Sequence, residues 1–274
     1  MPNNTDIAPS GFLNYHTMKK QLHIFLNALM FYSRIPVPSW MHHNEEMLNR
    51  ATVYFPVIGW IVAGISGLVY WLCTWIFPPS VAVLLSMGAG ILTTGAFHED
   101  GLADVCDGFG GGWTKIKILD IMKDSRVGTY GVVGLLLALL LKYATLTTLD
   151  IRHTLLALII AHPLSRLTAL SMIYTHEYVR EDALSKVKPI GKKISLSELL
   201  LAGFWAFLPF VFIQLYWPNW AILGVVLPLC ITKWYLARYF TKWIGGYTGD
   251  CLGSIQQISE IVIYLYLIAI WKFI

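Results

Sequence analysis

Long apolar runs separated by short polar stretches set the pattern of this chain. Seven runs stand out: Ala51 to Phe77, Val81 to Phe97, one entered through Val127-Gly128-Thr129-Tyr130-Gly131 and ending near Leu149, Thr154 to Thr175, Leu199 to Trp217, Ala221 to Phe240, and Ile255 to Trp271. Each approaches the ~20 apolar residues that a helix needs to cross a bilayer. Ahead of them, residues 17 to 33 mix Lys19, Lys20, Gln21 and Asn27 with Leu22, Phe25, Leu26, Leu29, Met30 and Phe31. That mixture predicts an interfacial or packed amphipathic helix rather than a span. Arg34-Ile35-Pro36-Val37-Pro38 ends it, because proline disfavours helix at the residue before it. Residues 1 to 16 are polar and are expected to be loosely ordered. The expected fold class is all-α, a polytopic membrane bundle of about seven transmembrane helices plus the N-terminal amphipathic helix. Residues 1–50 form a cytoplasmic N-terminal segment and residues 51–274 a single transmembrane catalytic domain.

The punctuation agrees with the runs. Pro78-Pro79 and Pro218-Asn219 turn the chain between spans, and Pro163 is expected to kink the fourth. Gly59, Gly64 and Gly67 give the first span small residues for close helix packing. The chain is 56% hydrophobic and 13% charged, with 11 Trp and 14 Tyr, a balance foreign to soluble domains. Its net charge of +4 is spread over loops, which argues against nucleic-acid binding. Cys73, Cys106, Cys230 and Cys251 show no CxxC spacing and so suggest neither a disulfide framework nor a zinc site. The N-terminus lacks an early apolar region, so no cleaved signal peptide is expected.

The chemistry is concentrated in residues 98 to 112, His-Glu-Asp-Gly-Leu-Ala-Asp-Val-Cys-Asp-Gly-Phe-Gly-Gly-Gly. If residues 98 to 109 are helical, Asp100, Asp104 and Asp107 fall within about 60° of one another, and Leu102, Val105, Cys106 and Phe109 take the opposite face. Carboxylates a turn apart repel, so a cation is expected among them. A hard divalent ion fits best, Mg²⁺ before Ca²⁺ or Mn²⁺, since Mg²⁺ is held by a few carboxylates together with substrate phosphates. The competing reading is a solvated acidic face. Against it, Gly101, Gly108 and Gly110 to Gly112 stand among the acids where helix formers would be expected.

Other residues invite a bland and a functional reading together. Lys142 inside a span is a functional candidate by default, and Arg166 is expected to pair with an anion or a carboxylate. His162 reads as a satisfied core histidine, and Arg34 as a snorkelling surface residue. The glycine-rich stretch Gly245 to Gly253 carries one acid, Asp250. Fifteen Lys and Arg fall on one side of the expected spans, against Arg152 and Lys272 on the other. This places the N-terminus, the acidic stretch and the loops with Asp124 and Asp250 in the cytoplasm.

A carboxylate cluster with glycines and nearby cations suits displacement at a phosphoanhydride, where metal and cationic side chains neutralise developing charge. Neither a P-loop nor an HExxH motif is present. The string His98 to Gly112, followed by Met122-Lys123-Asp124-Ser125-Arg126-Val127-Gly128-Thr129-Tyr130-Gly131, resembles the signature of the adenosylcobinamide-GDP ribazoletransferase (cobalamin synthase) family. The resemblance extends to Phe31 to Pro38, Tyr54 to Gly59, Ser165-Arg166 and Thr248 to Gly253, so it spans nearly the whole chain. Cys106 stands where the family usually has a small residue.

The resemblance implies a Mg²⁺-dependent enzyme of the bacterial inner membrane. It would join adenosylcobinamide-GDP to α-ribazole, or to its 5′-phosphate, and release GMP. On that footing Asp100, Asp104 and Asp107 would hold Mg²⁺ against the diphosphate, with Glu99 and Asp124 as further ligands. Asp104, Asp107, Asp124 and Asp250 are the catalytic candidates, the last three being eligible as the base. Gly110, Gly111, Gly112, Lys115, Arg126 and Arg166 would receive the phosphate-bearing substrate. The implied partners are these two small molecules and the lipid bilayer, with homo-oligomerisation left open. Two rivals are weighed. A CDP-alcohol phosphotransferase is disfavoured because the Asp-Gly-x-x-Ala-Arg portion of that motif is absent: Asp100-Gly101-Leu102-Ala103 is followed by Asp104. A transporter built around Lys142, His162 and Arg166 lacks an evident internal repeat.

Overall fold

The computed structural model describes residues 10–40, 45–179, 193–216 and 218–273. Expectations about residues 1–9, about Arg180, Lys186, Lys188 and Lys192, and about Trp217 fall outside them. The described residues form eleven α-helices and no strand. They are α1 Ser10–Tyr32, α2 Glu45–Ala51, α3 Phe55–Cys73, α4 Pro79–Thr94, α5 Phe97–Gly111, α6 Lys115–Ile121, α7 Thr129–Thr147, α8 Ile151–Thr175, α9 Leu196–Tyr216, α10 Val226–Ile244 and α11 Gly249–Phe273. Short 3₁₀ turns at Thr52–Tyr54 and Trp220–Val225 lead into α3 and α10.

Six segments are long and apolar enough to cross a membrane, and a seventh is counted if α4 and α5 are taken as one broken span. The outward faces of α7, α9 and α10 expose Leu136, Leu140, Leu200, Phe204, Phe212, Leu227 and Ile231. A continuous apolar surface of this kind is a liability in water and a necessity in lipid.

Two expectations need correction. The second run does not continue straight into the acidic stretch: α4 ends at Gly95, and α5 leaves at 89°. Gly95 (φ 68°) and Ala96 (φ 59°) are both left-handed, which turns the chain through about a right angle within two residues. Alanine there costs on the order of 1–2 kcal/mol. Arg34 lies across the turn and occupies the space that a Cβ on Gly95 would need. Nor is Gly245 to Gly253 all loop, because α11 starts at Gly249 rather than at Ile255. Thr248 caps it, its Oγ1 accepting from the Cys251 N–H at 3.4 Å.

Among the described residues, packing divides the interior into two large apolar clusters and a small third one of Leu102, Ala138 and Ile261. One gathers Ile24, Tyr32, Phe55, Met122, Phe240 and Tyr247. The other gathers Tyr70, Leu146, Leu158, Phe210 and Tyr264. α1 contributes to the first cluster, so the amphipathic helix is packed into the bundle. Pro163 lies inside α8 without ending it. The glycines of α3 serve unequally. A Cβ on Gly59 would come within 2.6 Å of the His162 carbonyl oxygen and 2.8 Å of Pro163 Cα, whereas one on Gly64 would meet nothing.

Gly59→Ala therefore drives a methyl group into α8 backbone that cannot rotate away. We expect it to destabilise the bundle by about 1–3 kcal/mol, more than the ~1 kcal/mol gained in helix propensity. Gly64→Ala, with open space and the same propensity gain, is expected to be neutral or stabilising. Thermal unfolding of both in one detergent checks the contrast; equal shifts would mean that α3 and α8 do not meet as described.

Candidate active site

Residues 98 to 109 are helical as expected, and Leu102, Val105, Cys106 and Phe109 do turn inward. Leu102 packs on Ala138 and Ile261, Cys106 abuts Gly134, and Phe109 lies 5.2 Å from the Tyr239 ring. The acids, however, are not left as one free face. They are distributed in three directions.

Asp107 is buried and faces the start of α7. Its Oδ2 accepts the Gly128 N–H at 2.6 Å and its Oδ1 the Gly131 N–H at 2.8 Å. Gly128 is the residue at the N-cap of α7 and has no side chain to cap with. Asp107 thus supplies from another helix both bonds that a capping box makes locally, and places a negative charge at the positive end of the helix dipole. A Cβ on Gly131 would collide with this carboxylate.

Glu99 points the other way, into the bundle. Its Oε1 accepts from Gln257 Nε2 at 2.9 Å, while Oε2 is buried without a hydrogen-bond partner. Gln257 Oε1 in turn accepts from Lys142 Nζ at 2.6 Å, and Lys142 also reaches Glu260 Oε2 at 2.6 Å. Glu260 Oε1 takes His162 Nδ1 at 2.8 Å and lies 3.6 Å from Arg166 Nη1, and Gln256 donates to it as well. Arg166 is 1% exposed, donates to the His162 carbonyl at 2.8 Å and packs over the Phe55 ring. Of the alternatives for Arg166, the structure supplies the carboxylate. These groups line a cavity of about 40 Å³, room for a few waters.

Asp100 is exposed and Asp104 half-buried, and they remain toward the open end of the bundle. There α5 and α11 cross almost backbone to backbone. A Cβ on Gly101 would lie 3.0 Å from Asp250 Cα, and one on Gly253 would lie 3.2 Å from the His98 carbonyl oxygen. Asp104 lies one helical turn beyond Gly101 on the same side of α5. Asp250 Oδ2 accepts from Thr248 Oγ1 at 3.3 Å.

The remaining expected site residues close α5 or follow it in the chain. Asp124 and Arg126 bind each other, with Arg126 Nη2 2.6 Å from Asp124 Oδ2. Lys115 is exposed at the start of α6, its Nζ lying 3.6 Å from the position of a Cβ on Gly245. Of the glycine run, Gly110 receives the Tyr130 ring and Gly112 packs against Ile118, so those two serve close packing; Gly111 is exposed. Among the described residues, no three His, Cys, Asp or Glu side chains are gathered closely enough to hold a metal ion by themselves. Sequence reasoning passed over Gln256, Gln257 and Glu260 as the mere entrance to the last span. Their spacing was a usable signal, because i, i+3 and i+4 polar residues in an apolar helix must share a buried side.

Fold and site together define a polytopic helical membrane protein with an acidic helix crossed by a glycine-bearing partner at one end of the bundle. The family model described as cobalamin-5-phosphate synthase matches residues 24–268, and the chain belongs to that family. It is 46% identical over 259 residues to the adenosylcobinamide-GDP ribazoletransferase of Shewanella amazonensis, covering 93% of this chain and 98% of that protein. It is 45% identical over 257 residues to the protein of the same description from Shewanella frigidimarina, covering 92% and 96% respectively. No solved structure matches the chain. The family makes this a transferase of cobalamin biosynthesis.

Two outcomes are expected from the charges. Glu260→Gln leaves Lys142 and Arg166 buried without a carboxylate, and breaking a buried pair in this way costs about 3–5 kcal/mol. Lys142→Met leaves Glu260 its other partners and should cost less, an order that chemical denaturation in detergent would establish or reverse. At the surface, Arg126 beside Asp124 holds that carboxyl at about 2, below its ordinary 3.8. Being depressed on folding, it contributes stability above the ordinary value that is lost as pH falls through about 2. A carboxyl-carbon NMR titration should return Asp124 to the ordinary range in Arg126→Ala; an unchanged midpoint would remove the ion pair from solution.

Proposed function

We propose that this chain joins adenosylcobinamide-GDP to α-ribazole or its 5′-phosphate, giving adenosylcobalamin or its phosphate and GMP. The observation that carries this reading is the backbone crossing of α5, the helix of Asp100 and Asp104, with α11 at Gly101 and Asp250. The acceptor hydroxyl attacks the cobinamide-bearing phosphorus, the bond to the GMP oxygen breaks, and the hydroxyl proton passes to a carboxylate. Asp104 and Asp250 are the favoured bases, since both Asp107 oxygens already accept backbone N–H bonds.

The donor set suits Mg²⁺: hard carboxylate oxygens on two helices in backbone contact, few enough that substrate phosphates complete the shell. Asp100, Asp104 and Asp250 would supply part of its shell only together with substrate phosphates, since these side chains do not form a ready-made three-carboxylate site, and the bound ion would neutralise charge on the diphosphate. Glu99, Asp107 and Asp124 are each engaged by protein groups and would act through the scaffold. Lys115, exposed at the start of α6, is available to the leaving phosphate, whereas Arg126 would have to exchange Asp124 for it. Arg166 is buried among Glu260, His162 and Phe55 and would instead support the bundle. The bias of Lys and Arg supports a cytoplasmic N-terminus and a cytoplasmic acidic face in a bacterial inner membrane.

GMP release by the protein in nanodiscs, supplied with both substrates, is expected to require Mg²⁺ and to fall at least about a hundredfold in Asp104→Asn. Full Mg²⁺-dependent turnover in that variant would sink the metal assignment. No release from folded wild type would sink the reaction.

A further inference from the structure

Beside the α5–α11 crossing lies a hollow of about 150 Å³ that the acidic residues do not line. Its wall is largely aromatic: Phe31 and Tyr32 from the end of α1, Phe55 from α3, and Phe97 and His98 from the first turn of α5. These rings hold one another in fixed orientations. Tyr32 stacks on Phe55 at 4.3 Å, Phe55 on His98 at 5.6 Å, and Phe31 meets Phe97 edge-on at 5.5 Å. Gly249 and Gly253 form the side toward α11, so the hollow opens next to Asp250. His98 is 2% exposed, yet its Nε2 has no hydrogen-bond partner.

We propose that this hollow is the subsite for the flat heteroaromatic base of the acceptor, with ring faces supplied by the aromatic wall and a ring nitrogen meeting His98. The inference rests on the transferase reading above and names the part of the substrate that this end of the bundle takes. An aromatic wall favours a flat π system. An acyl chain would fill the space without the stacking that these ring faces offer a flat system. A base seated here directs its sugar along Gly249 toward Asp250 and the crossing, where the hydroxyl has to be to react. The device also separates two tasks: the wall selects the acceptor, while the acids handle the diphosphate.

Two substitutions alter the wall without touching an acid. Ala169→Leu, on α8, fills the hollow, and Phe31→Ala, on α1, removes one ring face. Each is expected to raise the KM for α-ribazole at least about tenfold while leaving that for adenosylcobinamide-GDP nearly unchanged. Thermal unfolding identifies a variant that fails to fold, and the second then carries the test. Folded variants with an unchanged acceptor KM, or with the donor KM shifted instead, would overturn the subsite and leave the transferase reading intact. If wild type does not turn over at all, saturation-transfer NMR with free benzimidazole tests the hollow separately. A signal lost in Ala169→Leu supports it, and no signal from wild type overturns it. A co-purifying lipid chain that neither benzimidazole nor α-ribazole displaces would also overturn it.

Discussion

The Glu260 carboxylate is the point on which this bundle depends. It lies 3% exposed inside the bundle, and an uncompensated charge there would cost far more than any single contact gains. Lys142 from α7, His162 and Arg166 from α8, and Gln256 from its own helix converge on it. Because each partner comes at a fixed height along its helix, satisfying Glu260 sets how α7, α8 and α11 are aligned. Hydrophobic packing between apolar helices in lipid has no such selectivity, since a lipid tail serves as well as a leucine.

That alignment reaches the chemistry through one further link. Gln257 bonds both Lys142 and Glu99, so the first turn of α5 is tied to the same network. Asp107 anchors the other end of α5 by capping α7. With Glu99 and Asp107 holding the helix at both ends, Asp100 and Asp104 are the acids left toward the open end of the bundle. The close approach of α11 at Gly101 and Gly253 then decides where those two stand relative to Asp250. A side chain larger than glycine at either position would push the helices apart.

The same arrangement explains why so many glycines crowd one motif. Gly101 and Gly253 admit backbone against backbone, Gly131 leaves room for the Asp107 carboxylate, Gly110 receives the Tyr130 ring, and Gly134 accepts Cys106. Their common service is to let α5 be surrounded by α6, α7 and α11. Catalytic geometry held by helices in such contact is more exact than geometry held by loops.

How much of this was legible beforehand depends on whether a feature is local. Seven apolar runs, the helical acidic stretch and the inward face of Leu102, Val105, Cys106 and Phe109 are properties of consecutive residues, and periodicity alone exposed them. The left-handed pair Gly95-Ala96 and the early start of α11 at Gly249 were missed because apolar content says little about where a helix turns or is capped. The partition of the acids was beyond any local pattern. Asp100, Asp104 and Asp107 share a helical face, yet Asp107 caps α7, and Glu99 meets Gln257 across 158 positions of chain. Sequence by itself determined which segments are helices and which of them are apolar enough for a membrane, because both follow from residues one turn apart. Only the tertiary structure decided which carboxylates brace the bundle, because that choice lies with helices that meet in space after being distant along the chain.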